Sequence, residues 1–151
     1  MKTIGIRATP NAVTFAIFDT EQGAIINVEE IKIPAAFPTP AGLKYLRSNL
    51  LDVLREYAVE CAGVRVTEPS AISKSIERIQ IEGVIQEAFA SSDLHSYYVG
   101  QISSISKRLG FDRARFKPMI AGDEDPGVEN WKKLSKEARE AILCAMGAKD
   151  A

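Results

Sequence analysis

The chain has 151 residues, of which 46% are hydrophobic and 26% charged, with a formal net charge of −1. That length suits one domain over residues 1–151, able to bury roughly 68–70% of its unfolded surface without staples. The near-neutral balance, with a pI of about 5.9, excludes a generally basic nucleic-acid coat and leaves room only for a local basic patch.

Residues 3–6 and 13–18 are apolar runs separated by the turn-forming pair Pro10-Asn11, and they predict a β-hairpin. A polar turn, Asp19 to Gly23, precedes residues 24–33, where Ile25, Ile26, Val28, Ile31 and Ile33 predict a third strand and so an antiparallel meander. Pro34, Pro38 and Pro40 then exclude regular helix or central strand. From Ala41 the period changes: Leu43, Leu46, Leu50, Leu54 and Tyr57 predict an amphipathic helix, with Thr39 as its cap and Pro40 in its first position.

Residues 62–66 predict a short strand, and residues 72–90 a helix. That helix carries two apolar stripes, Ile72/Ile76/Ile79 and Ile81/Val84/Ile85/Ala88, which predict cover on both sides. Gly83 inside it costs about 1 kcal/mol relative to alanine, for which close packing against the sheet is the expected reason. Residues 94–99 predict a fifth strand and residues 101–109 a short helix stopped by Gly110. Residues 111–130 read as irregular, and residues 134–146 as a last helix with Ala138, Ala141, Ile142 and Ala145 facing inward. Three strands followed by alternating helices and strands imply an α/β fold, a mixed sheet flanked by helices.

The cysteines Cys61 and Cys144 lack CxxC spacing, so reduced, buried thiols are expected rather than a disulfide or zinc site. The N-terminus lacks a signal-peptide pattern, and no apolar run reaches a membrane span; a cytoplasmic protein without membrane partners is the expectation. His95, the only histidine, has Asp93 and Ser96 beside it, but neighbours in a strand do not converge, so an edge or loop position is expected rather than a catalytic triad. Neither GxGxxG nor GxxxxGK[ST] occurs, and the first hairpin lacks a glycine-rich phosphate turn, which argues against dinucleotide or ATP binding.

Four segments resemble the RuvC-like branch of the ribonuclease H-like superfamily. Thr3-Ile4-Gly5-Ile6-Arg7 resembles the family's first strand, which ends in Gly-Ile-Asp. Val64-Arg65-Val66-Thr67-Glu68-Pro69 resembles its fourth strand, and Ile81-Glu82-Gly83-Val84-Ile85 the glycine-bearing helix that follows. Glu137-Ala138-Arg139-Glu140-Ala141 resembles the acidic start of the final helix. The chain is also similar to small bacterial proteins that carry degenerate versions of this fold. The resemblance implies a ribonuclease H-like mixed five-stranded sheet, its first three strands antiparallel and the rest parallel.

It also implies a two-metal nuclease site, whose magnesium or manganese ions demand oxygen ligands. Here the pattern departs. The first carboxylate becomes Arg7, which has no lone pair to offer a metal. The second becomes Thr67, unless a one-residue shift brings in Glu68. The third, Glu137 or Glu140, keeps its charge. Arg7 pointing into the cleft would pair with a helix carboxylate; Arg7 capping a strand end would equally leave the site incomplete. A misaligned first strand is the remaining alternative.

The resulting expectation is a catalytically inactive pseudonuclease that binds DNA, RNA or a protein and needs no cofactor. The alternatives are a divergent magnesium- or manganese-dependent nuclease and a structural homo-oligomeric subunit. The nuclease would use Glu68, Glu137 and Glu140, with Asp19 or Asp123 reaching in. The subunit would be a homodimer through a sheet edge or the two-faced helix. The best nucleic-acid candidates are Lys107, Arg108, Arg113, Arg115 and Lys117, interleaved with Phe111 and Phe116. A solvated segment with both phenylalanines tucked inward is the competing reading. Residues 122–129 are acidic without EF-hand spacing, and read as an exposed loop able to shield that basic segment.

Overall fold

The computed structural model describes residues 1–151. Strands β1 (Lys2–Ala8), β2 (Ala12–Asp19) and β3 (Ala24–Lys32) form the meander. Helix α1 (Thr39–Glu56) leads to β4 (Val59–Arg65), α2 (Ile76–Ser91) and β5 (Ser96–Gly100). Helices α3 (Ile102–Leu109), α4 (Phe116–Ile120) and α5 (Lys136–Met146) complete the chain, with 3-10 turns at Arg113–Arg115, Trp131–Lys133 and Gly147–Asp150. The sheet order is β3-β2-β1-β4-β5, antiparallel across the first three strands and parallel from β1 to β5. This is the mixed five-stranded sheet that the resemblance implies. No helix is long and apolar enough to cross a membrane.

The sheet separates two apolar layers. On one face Ile4, Ile6, Ala62 and Val64 meet Leu46, Leu50 and Leu54 of α1 and Ile81, Ile85 and Phe89 of α2. On the other, Ala141, Ile142 and Ala145 of α5 pack with Ala16, Tyr98, Phe116 and Trp131. Side chains alternate along a strand, so β1 turns Ile4 and Ile6 to one layer and Thr3, Gly5 and Arg7 to the other. Gly5 is required there: a Cβ would lie 2.1 Å from the Ala141 carbonyl oxygen and 2.2 Å from the Ala145 nitrogen. Helix α5 thus rests on β1 at backbone distance, and the Thr3 hydroxyl donates to the Ala145 carbonyl at 2.7 Å.

Several local expectations are corrected. Thr39 does not cap α1; Pro38 holds the cap position and no side chain caps the helix. Gly83 is exposed, and a Cβ there would meet nothing within 4 Å, so close packing is not its reason. Only one stripe of α2 is covered. Ile76 is 71% and Ile79 44% exposed, and Ile72 lies fully in solvent before the helix begins. Within residues 111–130, α4 and the turn at Arg113–Arg115 form because Asp112 caps the Ala114 N–H and Phe116, Met119 and Ile120 are buried.

Candidate functional site

Strands β1 and β4 carry the same short pattern, glycine, an aliphatic residue, arginine: Gly5-Ile6-Arg7 and Gly63-Val64-Arg65. They run parallel with Gly5 opposite Gly63 and Arg7 opposite Arg65. Both arginines therefore emerge side by side at the C-terminal strand ends on the face that α5 covers. Both are buried, at 9% and 5% exposure. Two adjacent buried guanidiniums repel unless carboxylates lie between them.

Glu140 of α5, 3% exposed, supplies the first. Its Oε2 lies 3.0 Å from Arg7 Nε and 3.3 Å from Arg65 Nε. These contacts hold by charge rather than by direction: neither Arg65 Nε nor Glu140 Oε2 has an aligned hydrogen-bond partner. Glu82 of α2, 4% exposed, comes in from the other side, with Oε2 4.0 Å from a terminal nitrogen of Arg7. That same oxygen accepts from the Thr67 backbone N–H at 3.0 Å and from the Thr67 hydroxyl at 2.8 Å. Glu68 lies 3.7 Å from Arg65, and its Oε1 accepts from the Ile102 N–H at the start of α3 at 2.8 Å. Arg7 also donates to the Arg65 carbonyl at 3.2 Å. Burial, and secondarily the charge of Arg7, lower the pKa of the Arg65 guanidinium from its ordinary value.

The structure thus brings together Arg7, Thr67, Glu68 and Glu140 from the expected set and adds Arg65 and Glu82. Thr67 and Glu68 both reach the cluster, the first through Glu82 and the second through Arg65. Glu137 does not join it: half-buried in the first turn of α5, it has no ion pair to either arginine. Asp19 pairs in register with Lys2, at the opposite end of β1 from Arg7, and its Oδ1 accepts from Glu21 and Gln22 N–H groups in the turn. Asp123 is exposed in the loop after α4.

A readable signal existed for both additions. Arg65 interrupts an apolar β4 run at the same phase as Arg7, and Glu82 sits within the apolar stripe of α2. A charge on a buried face needs a partner.

The residues do not fit a two-metal centre. No three His, Cys, Asp or Glu side chains converge as a ligand set. The acids that do approach one another have guanidiniums between them, and a divalent cation at Glu140 Oε2 would stand beside two fixed positive charges.

Of the basic candidates, Arg108 lies over the Tyr98 ring at 3.9 Å and donates to the carbonyls of Gly147 and Asp150, which gives it a structural task. Arg115 pairs with Glu124 of the acidic loop at 2.5 Å. Lys107, Arg113 and Lys117 are exposed, whereas Phe116 is buried and Phe111 half-buried. Arg113 and Lys117 line an open cavity of about 710 Å³ next to the cluster, together with Arg65 and Glu68. His95 is exposed, with Nδ1 3.9 Å from Glu60. Both cysteines are free and buried.

No protein-family model and no curated protein matches the sequence. Solved structures do match the fold. RuvC from Thermus thermophilus superposes with a TM-score of 0.74 at 14% identity, over 97% of this chain and 92% of that one. The T. thermophilus RuvC in complex with a Holliday junction substrate superposes with a TM-score of 0.70, again at 14% identity, over 97% and 91%. Element order, sheet topology and near-complete mutual coverage agree, and the chain has the RuvC-like form of the ribonuclease H fold.

Proposed function

We propose that this chain is a single-domain, catalytically inactive RuvC-like module that acts in the cytoplasm by binding nucleic acid. One observation carries the inactive reading: Glu140, the buried acid of the final helix, is engaged by two guanidiniums at once. Arginine replaces metal as its partner, so the water-activating step of a two-metal hydrolysis has no place to occur. Nucleic acid is favoured as the ligand because a structural neighbour is a RuvC in complex with a Holliday junction, and because exposed Arg113 and Lys117 line the open cavity next to the cluster. The fold itself does not dictate a function, so the reading rests on the site.

The test is cleavage of branched, double-stranded and single-stranded DNA and RNA with magnesium or manganese. No cleavage above a no-protein control is expected. Robust cleavage abolished by Glu68→Ala or Glu140→Ala would establish the divergent nuclease instead. A second reading is favoured by the exposed stripe Ile76 and Ile79 on α2, an apolar surface suited to a protein partner or a second copy. Light scattering of the free chain separates monomer from dimer.

A further inference from the structure

The sheet has two open edges, and they differ in how they are guarded. Strand β3 carries Glu29, Glu30 and Lys32, all exposed, and its register against β2 shifts between Ile17 and Phe18. Charges and register breaks of this kind keep an edge from pairing with another strand. Strand β5, at the other end, is Ser96-Tyr97-Tyr98-Val99-Gly100, with no charge, no proline and no break in its register against β4. The Gly100 carbonyl accepts from the Val66 N–H at 3.0 Å. Alternate residues of a parallel strand bond the same neighbour. Ser96, Tyr98 and Gly100 therefore bond β4, and the N–H and C=O groups of Tyr97 and Val99 point to the open edge. Side chains alternate as well. Tyr98 turns into the layer of α5, where its hydroxyl donates to the Cys144 carbonyl at 2.7 Å. Tyr97 and Val99 share the opposite face, at 43% and 44% exposure.

We propose that β5 is a self-association edge, on which a second copy of this chain adds its own β5 antiparallel about a twofold axis at Tyr98. In that register Tyr97 lies opposite the partner's Val99, and Val99 opposite the partner's Tyr97. These are the residues whose backbone groups face outward, so each pair exchanges both of its N–H···O bonds. Each pair also sets an aromatic ring beside a β-branched side chain, a favourable cross-strand combination. Ser96 falls opposite the partner's Gly100, and no like charges meet. The strand is thus complementary to itself, which selects a second copy over an unrelated strand, and the pairing uses up the edge, so association closes at two. The inference is independent of the nucleic-acid reading and uses a surface separate from Ile76 and Ile79. Five residues bury less than a standard interface, so the dimer forms and dissociates with concentration.

The experiment is sedimentation equilibrium from micromolar to millimolar concentration. For the native chain the mass rises towards twice the 16.5 kDa of one copy. Tyr97→Lys/Val99→Lys sets cation against cation in both pairs and abolishes the rise. Tyr97→Lys/Val99→Glu sets cation against carboxylate in the same register and restores it. Both variants lose the same contact of Tyr97 with the Phe89 ring, centroids 5.7 Å apart, so a general loss of packing does not separate them. Ile76→Lys/Ile79→Lys on α2 leaves the dimer unchanged. Hydrogen exchange on the native chain needs no variant: the Tyr97 and Val99 amides exchange more slowly as concentration rises, and if neither β5 variant folds this measurement alone decides, unchanged exchange overturning the proposal. A chain monomeric throughout overturns it and leaves β5 to a different protein. Equal association of the two folded β5 variants overturns it, as does a dimer that the α2 variant dissolves.

Discussion

Replacing Glu140 by glutamine removes one negative charge and changes almost no volume. Its effect on stability therefore reports how far the two arginines depend on that charge. At an effective dielectric constant of about 20, each of the contacts at 3.0 and 3.3 Å is worth about 5 kcal/mol of Coulomb attraction. Most of that offsets the cost of bringing the three charges out of water. After the substitution, Arg7 retains Glu82 at 4.0 Å and Arg65 retains Glu68 at 3.7 Å, but the mutual repulsion of the guanidiniums is no longer screened. Breaking a buried pair from one side costs about 3–5 kcal/mol. In a chain of this length that is a fall in Tm of about 6–20 °C. Urea unfolding should show a lower midpoint with an unchanged slope. The double variant Arg7→Met/Glu140→Gln should cost less than the sum of its parts, because both single changes break the same buried ion pair. A loss below about 1 kcal/mol for Glu140→Gln would refute the view that the cluster is interdependent.

Gly5→Ala should destabilise by more than about 3 kcal/mol or prevent folding, since its Cβ would meet backbone atoms of α5 that cannot move independently; circular dichroism and urea titration would show it. Gly83→Ala should instead stabilise by about 0.5–1 kcal/mol, because the position is helical, exposed and open around the new methyl; a fall in urea midpoint would contradict this. Burial pushes the Cys144 thiol up to about 11, and Tyr98 shifts upward for the same first cause. The folded state holds the thiol proton more tightly than the unfolded state. Its contribution is therefore present below the ordinary thiol value of about 8.5 and is lost as pH rises towards 11. Stability measured between pH 8 and 10.5 should fall, and Cys144→Ala should reduce that slope. Ile76→Lys should leave the urea midpoint of the free chain within about 0.5 kcal/mol of native, since the residue is 71% exposed; a large loss would mean that the stripe is covered in solution.

The sequence by itself determined the order of the five strands and of the helices around them, except α4, which lies within residues read as irregular. The apolar runs at residues 3–6 and 13–18, the turn at Pro10-Asn11 and the proline break before α1 are local signals, and local chemistry decides them. The resemblance to the RuvC-like branch placed Arg7, Thr67 or Glu68, and Glu137 or Glu140 at one site. It missed Arg65 and Glu82. Arg65 enters only through parallel register, which sets residue 65 beside residue 7 across a gap that no local pattern spans. Glu82 enters only because α2 crosses the strand ends and Thr67 turns back to hold it. Glu137 and Glu140 are alike in type and lie one turn apart, yet only packing against β1 and β4 selects the second. The second stripe of α2 shows the converse: helical spacing revealed an apolar face, but whether anything covers it depends on how the elements assemble. Composition and periodicity fix which residues seek burial. The pairing of charges depends on distances of a few ångströms between segments far apart in the chain, and only the assembled sheet sets those distances.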